Sequence, residues 1–175
     1  MKPATRRIPV DNEKGGNLSV SVRRFVSSVL GIVLGGLFVY AGVQKHLAPY
    51  EFAEAVLAYQ LLPSSLVGLV ATALPWVEMV SGFSLILGCL LGSRRFANPF
   101  PVGGILRRSA LLLILGQSFL FVAVLLITMF RGLKIDCGCG LFFQRQVGPA
   151  AILEDGFFLL LIGLLYWRER RLKFD

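Results

Sequence analysis

Four long stretches of this 175-residue chain carry almost no charge. Phe25 to Gln44 and Ser109 to Phe130 carry none; Leu66 to Leu91 carries only Glu78, and Val147 to Trp167 carries Glu154 and Asp155. A helix needs about 20 apolar residues to cross the hydrocarbon core. In lipid every backbone polar group must be bonded within the segment, so each stretch is expected to be a helix. The expected fold is all-α: an integral membrane four-helix bundle. Hydrophobic residues make up 55% of the chain and charged residues 16%, too little polar surface for a soluble domain of this size.

The net charge of +8 raises nucleic acid as a partner. The basic residues argue against it, because they flank the spans and do not form one patch. With four crossings both termini share a side. Fourteen of the eighteen Lys and Arg residues fall on that side: positions 2, 6, 7, 14, 23 and 24, then 94, 95, 107 and 108, then 168, 170, 171 and 173. The other side holds Lys45, Arg131, Lys134 and Arg145. The positive-inside rule then places both termini in the cytoplasm, as in a multi-pass protein of a bacterial inner membrane. Arg23 and Arg24 precede a first span that is too long for a signal-peptide core and is read as an uncleaved anchor.

Residues 1–21 are expected to form a mobile cytoplasmic tail, 22–168 the membrane domain, and 169–175 a basic C-terminal tail. In the first span Gly31 and Gly35 have the small-xxx-small spacing that lets helices approach closely. Pro49 to Pro63 is too short to span. Phe52, Ala55, Val56 and Tyr59 share one face, so a short amphipathic helix is expected on the outer side between spans one and two. Ser64 and Ser65 are expected to cap span two, and Pro75 to kink it.

Cys137 and Cys139 form an Asp136-Cys-Gly-Cys-Gly140 turn on the loop between spans three and four. The topology puts that loop outside the cytoplasm, in a compartment where disulfides persist. A disulfide between residues two apart closes a small, strained ring, and strain makes it easier to reduce. Gly138 and Gly140 leave room for a partner thiol, Lys134 favours the thiolate and Asp136 opposes it. These two cysteines are the candidate catalytic pair. A static staple or two inert thiols is the plain alternative. Metal binding is a third reading: the pair and His46 supply three ligands, short for structural zinc though sufficient for copper(I), and no metal is expected. Cys89 lies near the other end of span two, as a packing residue. With three cysteines in all, the chain cannot pass electrons between two cysteine pairs of its own. A turning-over pair needs another protein or a bound cofactor.

Glu78 is the costliest intramembrane residue. At 1.5 Å per residue it lies about 20 Å below the outer surface, and Gln117 lies about 14 Å above the inner one. In a core of about 30 Å these depths coincide. Gln117 or Ser81 is therefore expected to hydrogen-bond Glu78 inside the bundle. A neutral Glu78 joining two helices is the plain reading; a carrier built around it is a sharper one. Glu154 and Asp155 are about 100° apart on their helix, so one is expected to turn inward, towards Lys45 or the cysteine loop.

Four segments in order resemble the MauE/DoxX family of redox-associated membrane proteins. They are Tyr40-Ala-Gly-Val-Gln-Lys-His-Leu-Ala-Pro49, the Phe52 to Pro63 segment, Leu74-Pro-Trp-Val-Glu-Met-Val-Ser-Gly82 and Asp136-Cys-Gly-Cys-Gly140. The resemblance implies a four-helix membrane bundle. It also implies a role in methylamine utilisation beside a periplasmic thioredoxin-like protein, in maturing a disulfide-rich periplasmic enzyme. The bundle is similar to membrane disulfide-generating enzymes that use quinone, which makes quinone a candidate cofactor. The expected function is a membrane thiol-disulfide component. The alternative is a non-catalytic structural subunit or scaffold of a larger membrane complex; the expected partners are the thioredoxin-like protein or other membrane-complex subunits, with the lipid bilayer in either case.

Overall fold

The computed structural model describes residues 13–93, 102–133, 135 and 148–171. These fold into five helices and no strand: α1 (Glu13–Leu47), α2 (Pro49–Ala58), α3 (Ser64–Ser93), α4 (Val102–Phe130) and α5 (Pro149–Arg171). Four are long and apolar enough to cross a membrane, over Phe25–Leu47, Ser64–Gly92, Val102–Phe130 and Pro149–Glu169. The chain is thus a multi-pass membrane protein, and its surface shows it. Phe25, Phe83, Phe119, Leu160 and Trp167 are all exposed, as lipid-facing side chains are. α1 begins at Glu13, inside the segment expected as a tail; residues 1–12 and 172–175 lie outside the described residues.

α3 is the central element, packed by α1 on one side and α4 on the other, and α5 packs on α4. Small residues set the spacing. A Cβ on Gly35 would lie 2.7 Å from the Gly82 carbonyl oxygen, one on Gly82 2.5 Å from the Gly35 carbonyl, and one on Gly42 2.7 Å from the Pro75 carbonyl. The two backbones touch, with no room for side chains between them. Gly31 likewise faces the Cys89 sulfur. On the other flank of α3, Gly88 lies against the Arg107 backbone and Gly103 against the backbone of Leu91 and Gly92. Lipid is as apolar as leucine, so such close backbone packing is what holds membrane helices together. Leu34, Leu85, Cys89, Leu111, Ile114, Ile162 and Leu165 fill the shared core.

α2 lies across the end of the bundle where α1 ends and α3 begins. Pro49 suits its first turn, where a missing N–H costs nothing. It buries Phe52 and leaves Tyr50, Glu51 and Glu54 exposed. Gln60 then turns the chain with a φ of 51°, and the Arg131 guanidinium, at the end of α4, donates to the carbonyls of Tyr59 and Gln60. α3 starts at Ser64, its first turn closed by the Leu66 N–H on the Pro63 carbonyl, and runs unbroken through Pro75. The α4–α5 connection opens and closes at this same end.

Candidate functional site

The glycine contacts fix the register that builds the site. Gly35 faces Gly82 and Gly42 faces Pro75, so the antiparallel helices advance in step. Extended three residues, that register sets Lys45 opposite Thr72. Glu78 lies six residues further down α3, about 9 Å deeper. Side chains on a helix lean towards its N-terminus. Lys45 on α1 therefore leans down into the bundle, and Glu78 on antiparallel α3 leans up. The two meet: Lys45 Nζ lies 2.5 Å from Glu78 Oε1, with both side chains buried.

Two aromatic rings flank the ammonium. Its Nζ sits 5.4 Å from the Phe52 ring centroid and 4.9 Å from that of Phe121, within cation–π range. The buried face of α2 thus closes the ion pair from above. Beneath lies a cavity of about 50 Å³, walled by Leu34, Leu37, Phe38, Ala41, Phe121 and Phe158. Its polar side chains are Lys45, Glu78, Ser118 and Asp155. Glu78 Oε2 is fully buried and has no hydrogen-bond partner among the described residues. A carboxylate oxygen in that state is costly unless something donates to it.

Asp155 is the inward member of the acidic pair on α5, and Glu154 is exposed. Its charge reaches Tyr59 at the end of α2, whose phenol is pushed up to about 12, first by burial and then by Asp155. Three elements thus converge on the α2 end of the cavity with ionisable groups: α1, α3 and α5.

The expected partner of Glu78 is corrected. Gln117 is buried, but neither of its amide atoms has a hydrogen-bond partner among the described residues. The α3–α4 register does set Gln117 level with Glu78, since Gly88 faces Arg107 and each residue lies ten positions nearer the α2 end. The direction around α4 is what differs: Ser118, one residue on, is the one that lines the cavity. Ser81 donates its hydroxyl to the Glu78 backbone carbonyl, 3.0 Å away, and not to the carboxylate. His46 is exposed and packs edge-on against Trp76 at 5.3 Å, outside the cavity lining. Lys134, Asp136, Cys137 and Cys139 lie outside the described residues, on the connection between Leu133 and Gly148.

A second polar cluster at the opposite end was not anticipated from sequence, where Arg107 and Arg108 served only as topology charges. Arg107 Nη2 donates to Ser27 Oγ at 2.6 Å and to the Ser27 carbonyl at 3.2 Å, and pairs with Glu169 at 2.9 Å. Arg108 Nη2 donates to the Glu169 carbonyl at 2.9 Å. The Ser27-Ser28 pair near the start of an apolar span is the signal the sequence offers.

The family model described as "Methylamine utilisation protein MauE" matches residues 23–168, and the chain belongs to that family of membrane proteins. Searches of curated proteins and of solved structures found no match. Quinone does not fit the cavity as it stands. A cavity of about 150 Å³ is what takes up a benzene ring, and this one holds about 50 Å³.

Proposed function

We propose that this chain is a membrane redox component of MauE-type protein maturation, working in a bacterial inner membrane with both termini cytoplasmic. Cys137 and Cys139 exchange dithiol and disulfide with a periplasmic thioredoxin-like partner. The observation that carries the reading is the position of the Cys-Gly-Cys sequence. It lies within the family match, in the sequence between the end of α4 at Phe130 and the start of α5 at Pro149, and both of those helix ends lie at the end that α2 covers. The charge bias gives that end the few basic residues expected outside the cytoplasm.

The exchange is a pair of thiolate attacks. A thiolate of the reduced member attacks a sulfur of the oxidised member's disulfide and forms a mixed disulfide, releasing one thiolate. The second thiol of the attacking protein then resolves it. Two electrons and two protons pass between the proteins, and the products are one disulfide and one dithiol. The Lys45–Glu78 pair fixes α1 against α3 and seats α2, which holds the end of α4 through Arg131. This gives the cysteine connection a rigid base.

The test is a trapping experiment in cells. Cys137→Ser and Cys139→Ser are each expressed, and mixed disulfides are sought by non-reducing electrophoresis. One variant lacks the resolving thiol and accumulates a covalent adduct with a thioredoxin-like protein. If neither traps an adduct and the double-serine variant keeps full function, the redox reading fails and a scaffold role replaces it.

A further inference from the structure

α2 is anchored more lightly than the spans beneath it. Its 10 residues are too few to hold a helix without packing, and Phe52 is the one side chain that α2 buries. The backbone breaks on either side. Ala48 leaves the helical region, at φ −124° and ψ 62°, and Gln60 follows the last turn at φ 51°. Gln60 stands just beyond the C-cap Tyr59, where a left-handed residue is common and glycine usually supplies it. A residue with a Cβ is strained in that conformation. Such residues persist where the surroundings hold them, and they cluster at clamps and switch regions.

Arg131, at the end of α4, does the holding. Its Nη1 donates to the Tyr59 carbonyl at 3.0 Å and to the Gln60 carbonyl at 3.3 Å, and its Nη2 to Gln60 Oε1 at 3.5 Å. These carbonyls close α2 at the end where the helix dipole favours a cation. All three bonds are exposed, so water can replace each of them. The spans differ: α1 and α3 touch backbone to backbone at Gly35, Gly42 and Gly82. What α2 covers is the Lys45–Glu78 pair. The Phe52 ring centroid lies 5.4 Å from Lys45 Nζ, and Lys45 is only 5% exposed.

We propose that α2 is a latched strap. Arg131 clasps its strained end, and release lets α2 lift about the breaks at Ala48 and Gln60. Phe52 then leaves Lys45, while Phe121 stays with α4 and the four spans stay packed. Water reaches an ion pair that is sealed in the closed state. An element held by few buried contacts and by exposed hydrogen bonds opens below the global unfolding free energy. Cys137 and Cys139 take no part, so the strap stands or falls separately from the thiol exchange.

The test uses full-length protein in lipid nanodiscs. Amide hydrogen exchange is mapped by peptide, and acetylation of Lys45 by a water-soluble amine-reactive ester is read by mass spectrometry. In the wild type, α2 amides should exchange faster than those of α3, a comparison that needs no variant. Arg131 is exposed, so Arg131→Gln should fold. It should raise α2 exchange and Lys45 acetylation together by about tenfold, as loss of hydrogen bonds from a charged group would give, with α1 and α3 unchanged. Gln60→Gly relaxes the left-handed residue and should slow both rates, alone and with Arg131→Gln. Wild-type α2 amides as slow as those of α3 overturn the strap. So does Arg131→Gln if α2 exchange rises without Lys45 acetylation, if neither rate rises, or if the spans share the rise equally. A Gln60→Gly protein with unchanged or faster rates overturns the role given to the strained residue.

Discussion

Among the described residues two ion pairs tie helices together, a buried one towards the α2 end and a part-buried one at the other end, and they are built differently. At the end opposite α2, Arg107 ties three helices together. One guanidinium nitrogen reaches the Ser27 hydroxyl, the Ser27 carbonyl and the Glu169 carboxylate, joining α1, α4 and α5. At the α2 end, Lys45 pairs with Glu78 between two aromatic rings, and the second carboxylate oxygen is buried with no hydrogen-bond partner among the described residues. Arginine presents a fixed fork of donors suited to several acceptors at once; lysine is a compact charge on a flexible stem. The first pair holds the bundle shut. The second is held in place by register and by two aromatic rings. α1 and α5 join through Arg107 at one end and are separated by the cavity at the other.

The largest effect that separates the two pairs is expected at Lys45. Lys45→Met leaves Glu78 as a buried charge without its partner and should cost about 3–5 kcal/mol of stability in detergent. Lys45→Met/Glu78→Gln should recover most of that, because both charges leave together. If the single and double variants unfold alike in a denaturant titration, the pair is not coupled as described.

Next comes the packing that sets the register. Gly82→Val places a Cβ against the Gly35 carbonyl, where the gap is 2.5 Å, and should cost about 1–3 kcal/mol or more. The same change at Gly36, where a Cβ meets nothing within 4 Å, should be close to neutral. Thermal unfolding of the two variants side by side checks this.

Arg107→Ala removes a charged hydrogen-bond hub and should lower stability by about 1.5–3 kcal/mol. It should leave the recovery of Lys45→Met by Glu78→Gln unchanged, since the two clusters lie at opposite ends. A changed recovery in the Arg107→Ala background would show the ends to be one network.

The smallest effect concerns Tyr59. Its phenol is raised to about 12, so the folded state holds that proton more tightly than the unfolded chain, which loses it near 10. The resulting stabilisation is complete below pH 10 and is lost as pH climbs from 10 towards 12. Asp155→Asn removes the smaller of the two causes and should bring the Tyr59 titration part of the way back. The ultraviolet phenolate titration, with Tyr59→Phe as the reference, measures it.

Much of this was legible in the sequence. Uncharged stretches located the four spans, because a bilayer leaves few other ways to place them. Gly31 and Gly35 announced the close α1 face, and Phe52 marked the buried side of α2. The depth of Glu78 against Gln117 also follows from residue counting, and the α3–α4 register agrees with it. What counting does not give is direction around an axis. Gln117 and Ser118 differ by about 100°, and that angle decides which one sees the cavity. Lys45 was legible as an end-of-span charge and as a target for Glu154 or Asp155, not as the partner of Glu78. Its inward lean follows from antiparallel packing with α3, which no local pattern reveals. The Arg107 cluster joins residues 80 and 62 positions apart, so neighbouring sequence carried no sign of it beyond the polar Ser27-Ser28 pair in an apolar span. The thiol chemistry rests on residue type, spacing and family, since Cys137 and Cys139 lie outside the described residues.

The proposed thiol chemistry depends on where Cys137 and Cys139 sit and whether they change redox state. The most direct measurement is labelling of intact cells with a membrane-impermeant maleimide, before and after mild reductant, with fully buried Cys89 as the internal control. Cys137 and Cys139 should label from outside the cytoplasmic membrane, with the labelling rising after reduction, while Cys89 stays unmodified. Labelling that appears only once the inner membrane is permeabilised, or that never responds to reductant, would contradict it.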